Sequence, residues 1–325
     1  MPITNSTTLD VCAHRAVPDC NAGSPRAIQG ANETPLPLLS SKFYRPVPFV
    51  PGGNRLYWRP MIPFLRFGPI LVPTFGLMIA AAMLVAFYLL RADMARRGLA
   101  PRDSTTAEMF VAVPALVGIV GAKLYHVLET PRELLADPLG QLFSRYGLAW
   151  FGGLIAGFAA FVWLARRQKF PLLEVFDAGS GAAALGYGIG RIGCLLSGDG
   201  DYGTPTSLPW GMSFPHGLVP TTDRVHPTPI YELIAACVIA WILWRLGTRQ
   251  LASRGSTDRL PAGTVFAAYL LLTGVARFLV EFIRINPRSF LGMTNAQAAS
   301  VVSVIAGAAL WWHVRKTQPR KAPVS

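Results

Sequence analysis

The sequence predicts an all-α, polytopic membrane protein with about seven transmembrane helices and a small extracytoplasmic cap. Two observations predict this class. Hydrophobic residues make up 52% of the 325-residue chain and charged residues only 14%, whereas a soluble domain carries about 25% charged residues. The apolar residues also fall into stretches of the length that a helix needs to cross a bilayer, about 20 residues.

Seven apolar stretches are predicted to span the membrane. Glycine is frequent in the third and fourth stretches, where it permits close helix packing or an interrupted helix beside a cavity. No internal repeat is evident, which weakens an interpretation as an inverted-repeat transporter. The stretches lie at 70–90, 107–127, 148–165, 172–196, 229–246, 263–283 and 295–314.

Basic residues in the loops predict the orientation of the chain. The net charge of +13 would suit a nucleic-acid partner. However, Lys and Arg cluster between the apolar stretches, where the positive-inside rule places them, so no nucleic acid is expected. The richer set of loops begins at Arg91, Arg166, Arg245 and Arg315. The C-terminus is therefore predicted to be cytoplasmic and, with seven spans, the N-terminus lies outside.

The remaining segments suggest the domain organisation. Residues 1–60 are polar and proline-rich, and are expected to be a disordered or misannotated N-terminal extension. Residues 61–317 form the membrane domain, and 318–325 a cytoplasmic tail. Within the membrane domain, 197–228 is expected to fold as a small cap on the outer face. Residues 128–147 are typical of an amphipathic segment on the membrane surface.

Ionisable residues inside apolar stretches are costly to bury, so they indicate a cavity or a partner. Arg277 and Glu281 lie four residues apart, and form either an intrahelical salt bridge or part of a site. Lys123 either snorkels or binds a ligand, and Asp177 either caps the fourth span or serves a site. Arg191 and Arg277 are both predicted to lie in the outer half of the helical bundle. Since guanidinium groups bind phosphate through a planar fork of donors, a phospholipid headgroup is the expected ligand.

A glycine-rich loop follows the fourth span and carries Asp199 and Asp201. It fits neither a Walker nor a Rossmann pattern, and each aspartate is interpreted as either a general base or a turn residue. No spacing of Cys and His suggests a metal site, so neither a metal nor another cofactor is expected. This chemistry alone does not separate a lipid enzyme from a lipid-binding protein.

Several segments together resemble one known family. Taken as a set, they are similar to the phosphatidylglycerol–prolipoprotein diacylglyceryl transferases, over roughly 61–315. The resemblance implies that a diacylglyceryl group passes from phosphatidylglycerol to the lipobox cysteine in a prolipoprotein signal peptide, at the bacterial cytoplasmic (inner) membrane and without a cofactor. The matching segments are GRIGCLLSGDGDYG (190–203), FGGLIAG (151–157), FDAGSGAAALGYGIGR (176–191), HPTPIYE (226–232) and RFLVEFIR (277–284).

The resemblance also implies roles for individual residues. Arg191 and Arg277 would hold the lipid phosphate and stabilise charge on the leaving group, and Glu281 would orient Arg277. Asp199 would stand where the family signature has glutamate, as a catalytic residue. Gly203 would match the closing glycine of the signature and allow close backbone approach. Lys123 is predicted to join the two arginines and Gly203 in binding phosphatidylglycerol.

Three polar positions of the family pattern carry other residues here, namely Phe75, Phe151 and Cys194. Phe151 replaces a histidine and cannot deprotonate the attacking thiol. The general base is therefore expected elsewhere, and the candidates are Asp199, His126 and His216. These replacements keep two alternatives open: a non-catalytic lipid-binding or scaffold paralogue, and a lipid or solute transporter.

Overall fold

The computed structural model describes residues 61–100, 105–144, 149–255 and 259–317. The predicted N-terminal extension and C-terminal tail lie outside these residues. Within them the fold is dominated by helices. The helices are α1 (Thr74–Arg97), α2 (Thr106–Glu129), α3 (Pro131–Ala136), α4 (Pro138–Phe143), α5 (Trp150–Arg167), α6 (Leu172–Ser197), α7 (Thr228–Ala252), α8 (Thr264–Val280) and α9 (Asn295–Lys316).

Three short antiparallel hairpins accompany the helices. The first leads directly into α1, the second belongs to the loop between α6 and α7, and the third precedes α9. A 3₁₀ turn, Glu281–Ile283, continues the end of α8. The paired strands are β1 (Phe64–Phe67) with β2 (Ile70–Pro73), β3 (Met212–Phe214) with β4 (Thr221–Val225), and β5 (Arg288–Phe290) with β6 (Met293–Thr294).

Five of the described helices are long and apolar enough to cross a membrane: α1, α2, α7, α8 with its 3₁₀ turn, and α9. The chain is therefore a multi-pass helical membrane protein. Helices α5 and α6 coincide with the third and fourth predicted spans but are not among these five. Helix α5 ends in Arg166 and Arg167, and α6 combines many glycines with Arg191, which lowers their apolar character. The count of seven spans remains a prediction.

Helices α2 and α5 pack with their backbones in close contact. A Cβ atom placed on Gly121 would lie 2.7 Å from the carbonyl oxygen of Gly152, which is closer than real side chains approach. The two helices therefore need glycine where they cross, as the glycine-rich third span led us to expect. A hydrogen bond of 3.0 Å from the Ala149 amide to the Ala122 carbonyl adds to this contact.

Helix α6 lies at the centre of the bundle, against α1, α7 and α8. Its glycines admit the neighbouring helices: a Cβ on Gly188 would lie 2.8 Å from Cβ of Ala236, and one on Gly193 would lie 3.0 Å from Cδ2 of Phe75. Helices α6 and α8 both begin at the end of the bundle where α1 and α7 finish. Arginines of α1 and α7 lie at that end, which we call the basic end.

Asp177 joins two helices at the basic end. It is fully buried, and its carboxylate accepts hydrogen bonds of 2.8 Å from the backbone amides of Gly263 and Phe266. The prediction that Asp177 caps its own helix is therefore wrong, because it caps the start of α8 instead. Gln250 also donates to Asp177 at 2.8 Å, and the buried Arg97 lies 3.8 Å from it.

The predicted cap region folds as a small unit at the end of the bundle opposite the basic end. Its hairpin β3–β4 encloses a core of Tyr202, Phe214 and Val225. Helix α6 ends at Gly198, which has a left-handed backbone (φ +58°) and contacts Gly217 of the cap. On which side of the membrane the cap lies remains a prediction.

The predicted amphipathic segment contains the short helices α3 and α4. Leu135, Leu139 and Phe143 all expose their side chains there. Exposed apolar side chains on helices too short to span a bilayer are typical of segments that lie at a membrane surface.

Candidate active site

Three arginines and three carboxylates converge at the end of the bundle that carries the cap. This arginine–carboxylate cluster draws on α6, α7, α8, the 3₁₀ turn and the cap loop. Each positive group therefore has a negative neighbour from another segment. The members are Arg191, Arg277, Arg284, Asp201, Glu232 and Glu281.

Glu232, in the first turns of α7, is the centre of the cluster. Its Oε1 atom accepts hydrogen bonds from Arg277 and from the hydroxyl of Tyr187. Its Oε2 atom lies 3.6 Å from Nη1 of Arg191 and 3.5 Å from Nη1 of Arg284. Because Glu232 is buried, these contacts hold its charge in place and fix the positions of three guanidinium groups.

Glu281 holds the same arginines from a second direction. Its Oε2 atom lies 2.9 Å from Nη2 of Arg277 and 3.5 Å from Nε of Arg284, and Asn286 donates to its Oε1 atom. The intrahelical salt bridge suggested by the sequence is thus present. It forms part of the larger cluster, so the structural and the functional interpretations of the pair are compatible.

Asp201 lies between two arginines at the accessible side of the cluster. One oxygen pairs with Arg191 and the other with Arg284. Burial would raise the pKa of this carboxyl, but the charges of Arg284 and Arg191 outweigh that effect and lower it. Asp201 is therefore an ionised member of the cluster rather than a turn residue alone.

Asp199 lies next to the cluster, with a carboxylate oxygen within 4.8 Å of the thiol sulfur of Cys194. Its Oδ1 atom also accepts the backbone amide of Asp201 at 3.2 Å. Burial raises the pKa of Asp199, and the charge of Asp201 adds to this increase. Among the described ion pairs, the arginines contact Asp201 and not Asp199, so the two aspartates have different environments although they are two residues apart.

Cys194, Asp199 and Asp201 place ligand atoms within 4.8 Å of one another. This spacing would allow a metal ion, but the surroundings do not favour one. Both carboxylate oxygens of Asp201 are engaged by arginines, and Arg191 and Arg284 supply positive charge where a cation would have to bind.

Gly203 brings the cap loop against the ends of α7 and α8. A Cβ atom at this position would lie 2.9 Å from Cβ of His226 and 3.0 Å from Cγ2 of Thr228. The Gly203 amide donates to the His226 carbonyl at 2.8 Å, and the Thr228 hydroxyl donates to the Asp201 carbonyl. The close approach therefore fixes the segment that carries Asp201.

The members of the cluster differ in accessibility. Side-chain exposure is 18% for Arg191, 26% for Arg277 and 31% for Asp201, but 6% or less for the other three members. The buried members lie beneath the accessible ones, and the accessible arginines can meet an anion that arrives from outside. Two guanidinium groups on neighbouring helices are suited to grip one phosphate.

The other predicted site residues lie apart from these ion pairs. Lys123 donates to the hydroxyl of Ser144 at 2.7 Å and to its carbonyl at 3.1 Å, which ties α2 to the segment after α4. Phe75 packs against Gly193, beside Cys194. Phe151, at the start of α5, is exposed. His216 is exposed in the cap.

The sequence analysis did not identify Glu232, Arg284 or Tyr187 as site residues. Spacing could have indicated two of them: Arg284 follows Arg277 by seven residues and Glu281 by three, and Tyr187 precedes Arg191 by four, so each falls on the same helix face as a recognised residue. Glu232 offered no such signal, because a single carboxylate near a helix start is common.

The fold and the cluster define a class: a multi-pass helical membrane protein with paired arginines and carboxylates at one end of its bundle. Comparison with known proteins is more specific. Residues 63–313 match the family described as prolipoprotein diacylglyceryl transferase. This match covers well over half of the chain, so the protein belongs to the prolipoprotein diacylglyceryl transferase family, as the sequence resemblance indicated.

Individual relatives agree with this assignment. The chain is 33% identical over 235 residues to the phosphatidylglycerol–prolipoprotein diacylglyceryl transferase of Geobacter sulfurreducens, an alignment that covers 71% of this chain and 84% of the relative. It is 30% identical over 279 residues to the protein of the same name from Parasynechococcus marenigrum, with 80% and 95% covered. The Clostridium tetani protein is 30% identical over 236 residues, with 72% and 89% covered.

Proposed function

We propose that this protein is an enzyme that transfers the diacylglyceryl group of phosphatidylglycerol to the lipobox cysteine of prolipoproteins. One observation carries the proposal beyond family membership. Arg191 and Arg277 come from different helices, share the buried Glu232 as a counter-ion, and keep part of their side chains accessible. This geometry suits the phosphate of a membrane lipid.

Arg191 and Arg277 are assigned to the phosphate of phosphatidylglycerol. Asp201 is the most exposed carboxylate of the cluster and pairs with Arg191. An arriving phosphate would replace it there, while Asp201 keeps its contact with Arg284. Glu232 and Glu281 remain beneath, and hold Arg277 at the correct angle.

The reaction increases the charge on the phosphate, which explains the need for two arginines. The thiolate sulfur forms a bond to the glyceryl carbon, and the bond from that carbon to the phosphate oxygen breaks. The lipid phosphodiester carries one negative charge, whereas the departing glycerol phosphate carries up to two. Arg191 and Arg277 therefore interact more strongly with the leaving group than with the substrate, and this difference accelerates the reaction.

Asp199 is assigned as the general base that takes the proton of the substrate thiol. Three observations support it over His126 and His216. It adjoins the arginine cluster, it already lies near a thiol in the form of Cys194, and its raised pKa makes it a better proton acceptor than an ordinary aspartate. Phe151 then needs no acid–base role.

Gly203 and Lys123 are proposed to support substrate binding indirectly. Gly203 holds the cap segment that bears Asp201. Lys123 secures the α4 region beside α2, where the exposed apolar helices α3 and α4 offer a surface for a signal peptide. The proposed topology has seven spans, with α5 and α6 crossing the bilayer, the N-terminus and the cap outside, and the C-terminus in the cytoplasm.

Complementation tests this function. The full chain is expressed in a bacterium depleted of its own diacylglyceryl transferase, and a reporter prolipoprotein is analysed for thioether-linked diacylglycerol. We expect lipidation with the wild-type chain and none with Arg191→Ala or Arg277→Ala. The exposed Arg288, at the same end of the bundle, provides the control variant Arg288→Ala, which should lipidate normally.

Two outcomes would contradict the assignment. Normal lipidation by both arginine variants would show that the cluster does not bind the reacting lipid. A wild-type chain that is present in the membrane but lipidates nothing would favour the non-catalytic, lipid-binding paralogue, because Phe75, Phe151 and Cys194 replace polar groups of the family pattern.

A further inference from the structure

A cavity lies toward the basic end of the bundle, well away from the arginine–carboxylate cluster. It is a groove between α1, α6 and α7 with a volume of about 280 Å³, lined mainly by apolar residues such as Leu89, Gly181, Leu185 and Trp241, and at the basic end also by Asp93 and Asp177. On α6, Gly181 precedes Arg191 by ten residues, which corresponds to about 15 Å along a helix. The groove is therefore a separate feature from the proposed active site.

Gly181 is the most informative residue of this groove. A Cβ atom at this position would meet no other atom within 4 Å. Two glycines later in the same helix have close neighbours. Ala236 fills the space beside Gly188, and Phe75 fills the space beside Gly193. Glycine disfavours a helix interior, and no described neighbour accounts for it at 181. The space is available to a molecule that comes from outside the chain.

The walls of the groove indicate what kind of molecule fits. Apolar side chains dominate between the two membrane helices, because Asp93 is paired with Arg96 and Asp177 is taken up by the backbone amides at the start of α8. A peptide chain there would lack partners for its backbone amides and carbonyls. A hydrocarbon chain has no such requirement, so an acyl chain is the better occupant.

Two arginines lie where the groove reaches the basic end. Arg245 and Arg249 are exposed one turn apart on α7 and border a shallow depression on the surface of that helix, where Arg245 lies 5.8 Å from the Trp241 ring centroid. Within the described part of the chain, neither arginine pairs with a carboxylate. Arg96 differs, because it is engaged by Asp93 and lies 3.8 Å from the Trp244 ring centroid.

We propose that this groove holds one acyl chain of a resident anionic phospholipid, whose phosphate binds Arg245 and Arg249. Trp241 lines both the groove and the depression beside the two arginines, so one molecule can reach from the groove to Arg245 and Arg249. The site lies in the leaflet opposite the one that meets Arg191 and Arg277. This lipid is not consumed, and the proposal does not depend on the transfer reaction.

Native mass spectrometry of the full chain tests this site. The protein is released from nanodiscs that contain equal amounts of phosphatidylglycerol and phosphatidylcholine, and the retained lipids are counted. Gly181→Leu should retain one phosphatidylglycerol fewer than the wild type, because leucine fills the groove. Ala309→Leu places the same side chain on an exposed face of α9 and should retain the wild-type number.

A second variant tests the phosphate contact without altering the groove. Arg245→Gln combined with Arg249→Gln should reduce the preference for phosphatidylglycerol over phosphatidylcholine at this site on the order of tenfold, since charge-assisted hydrogen bonds are lost. These surface substitutions also keep the test valid should Gly181→Leu fold poorly.

Transfer to a reporter prolipoprotein is measured on the same samples, so that the two proposals are judged separately. Loss of one lipid with transfer retained is the expected result. Equal lipid retention in the wild type and Gly181→Leu, together with unchanged selectivity in the double arginine variant, would overturn the proposal. Loss of transfer in folded Gly181→Leu would also overturn it, because the groove would then belong to the substrate route.

Discussion

The guanidinium group of Arg277 pairs with the carboxylate of Glu232, which lies 45 residues earlier on a neighbouring helix. This contact joins α7 to α8 at the site. It also explains how an accessible arginine keeps a defined position, because its counter-ion is buried and makes further contacts with Tyr187 and two other arginines.

Glu232→Gln is predicted to impair both stability and transfer. The amide keeps the shape of the side chain but removes the negative charge that three arginines share. Removing one partner of a buried ion pair costs roughly 3 kcal/mol, because the other charge is left buried without compensation. Thermal unfolding in detergent should show a lower Tm, and lipidation of the reporter should fall at least about 100-fold. The exposed Glu129→Gln is the control and should change neither quantity.

Gly203→Ala is predicted to displace the cap loop. The added methyl group would meet His226 and Thr228 at 3.0 Å or less, so the loop must move and carry Asp201 with it. We expect transfer to fall by at least about tenfold, with a stability loss of roughly 1–3 kcal/mol. Gly76→Ala is the matched control, since a Cβ atom there meets nothing within 4 Å. Wild-type transfer by Gly203→Ala would show that the close approach is not required.

The pH dependence of transfer should reveal Asp199. A general base acts in its deprotonated form, and burial raises the pKa of this carboxyl above its ordinary value. The rate should therefore fall on the acid side at a higher pH than an ordinary aspartate would produce, and Asp199→Asn should leave a low rate without this acid limb. An unchanged acid limb in Asp199→Asn would assign the base to another residue.

Asp201 should not contribute to that acid limb. Arg284 and Arg191 overcome the effect of burial and lower its pKa, so Asp201 stays ionised over the range in which Asp199 titrates. Asp201→Asn should consequently reduce the rate at every pH and leave the midpoint of the acid limb near its wild-type position. Rate profiles of the two variants, recorded with one reporter, separate the two roles.

The crossing of α2 and α5 should be intolerant of a single methyl group. In Gly121→Ala the new Cβ would lie 2.7 Å from the Gly152 carbonyl oxygen, so the helices must separate. A loss of roughly 1–3 kcal/mol in stability is expected. Gly153→Ala places a methyl group at the same crossing, but at an ordinary 3.4 Å from its neighbours, and should leave Tm unchanged. Equal Tm values for both variants would contradict this account.

Sequence reasoning singled out Arg191 and Arg277, and the structure places both beside Glu232, while their roles remain predictions. Arg191 and Arg277 could be recognised because charge inside an apolar stretch is costly and needs a reason. Glu232 could not, since it lies near a helix start where a charge is ordinary, and Arg284 had only its spacing from Arg277 and Glu281 to indicate it. Their importance depends on how α6, α7 and α8 meet in space, and one sequence does not contain that information.

The two aspartates of the cap loop illustrate the same limit. Asp199 and Asp201 have similar sequence surroundings, yet one lies near a thiol and the other contacts two arginines. The backbone path after Gly198 decides which carboxylate faces the arginines. For Asp177, the residue type suggested a cap correctly, but the helix that it caps became evident from the packing of α8 beside α6.

Asp177 has a mechanical consequence for the site at the other end of the bundle. It ties the second turn of α6 to the first turn of α8, and from there each helix continues for 14 residues, about 21 Å, before it presents its arginine. Asp177 thus joins α6 and α8 near one end of the bundle, and Arg191 and Arg277 lie near the opposite ends of the same two helices. Because both arginines lie about 21 Å from this contact, a small change in the angle between α6 and α8 at Asp177 would change the distance between them, so a residue that does not touch the site helps to set its width.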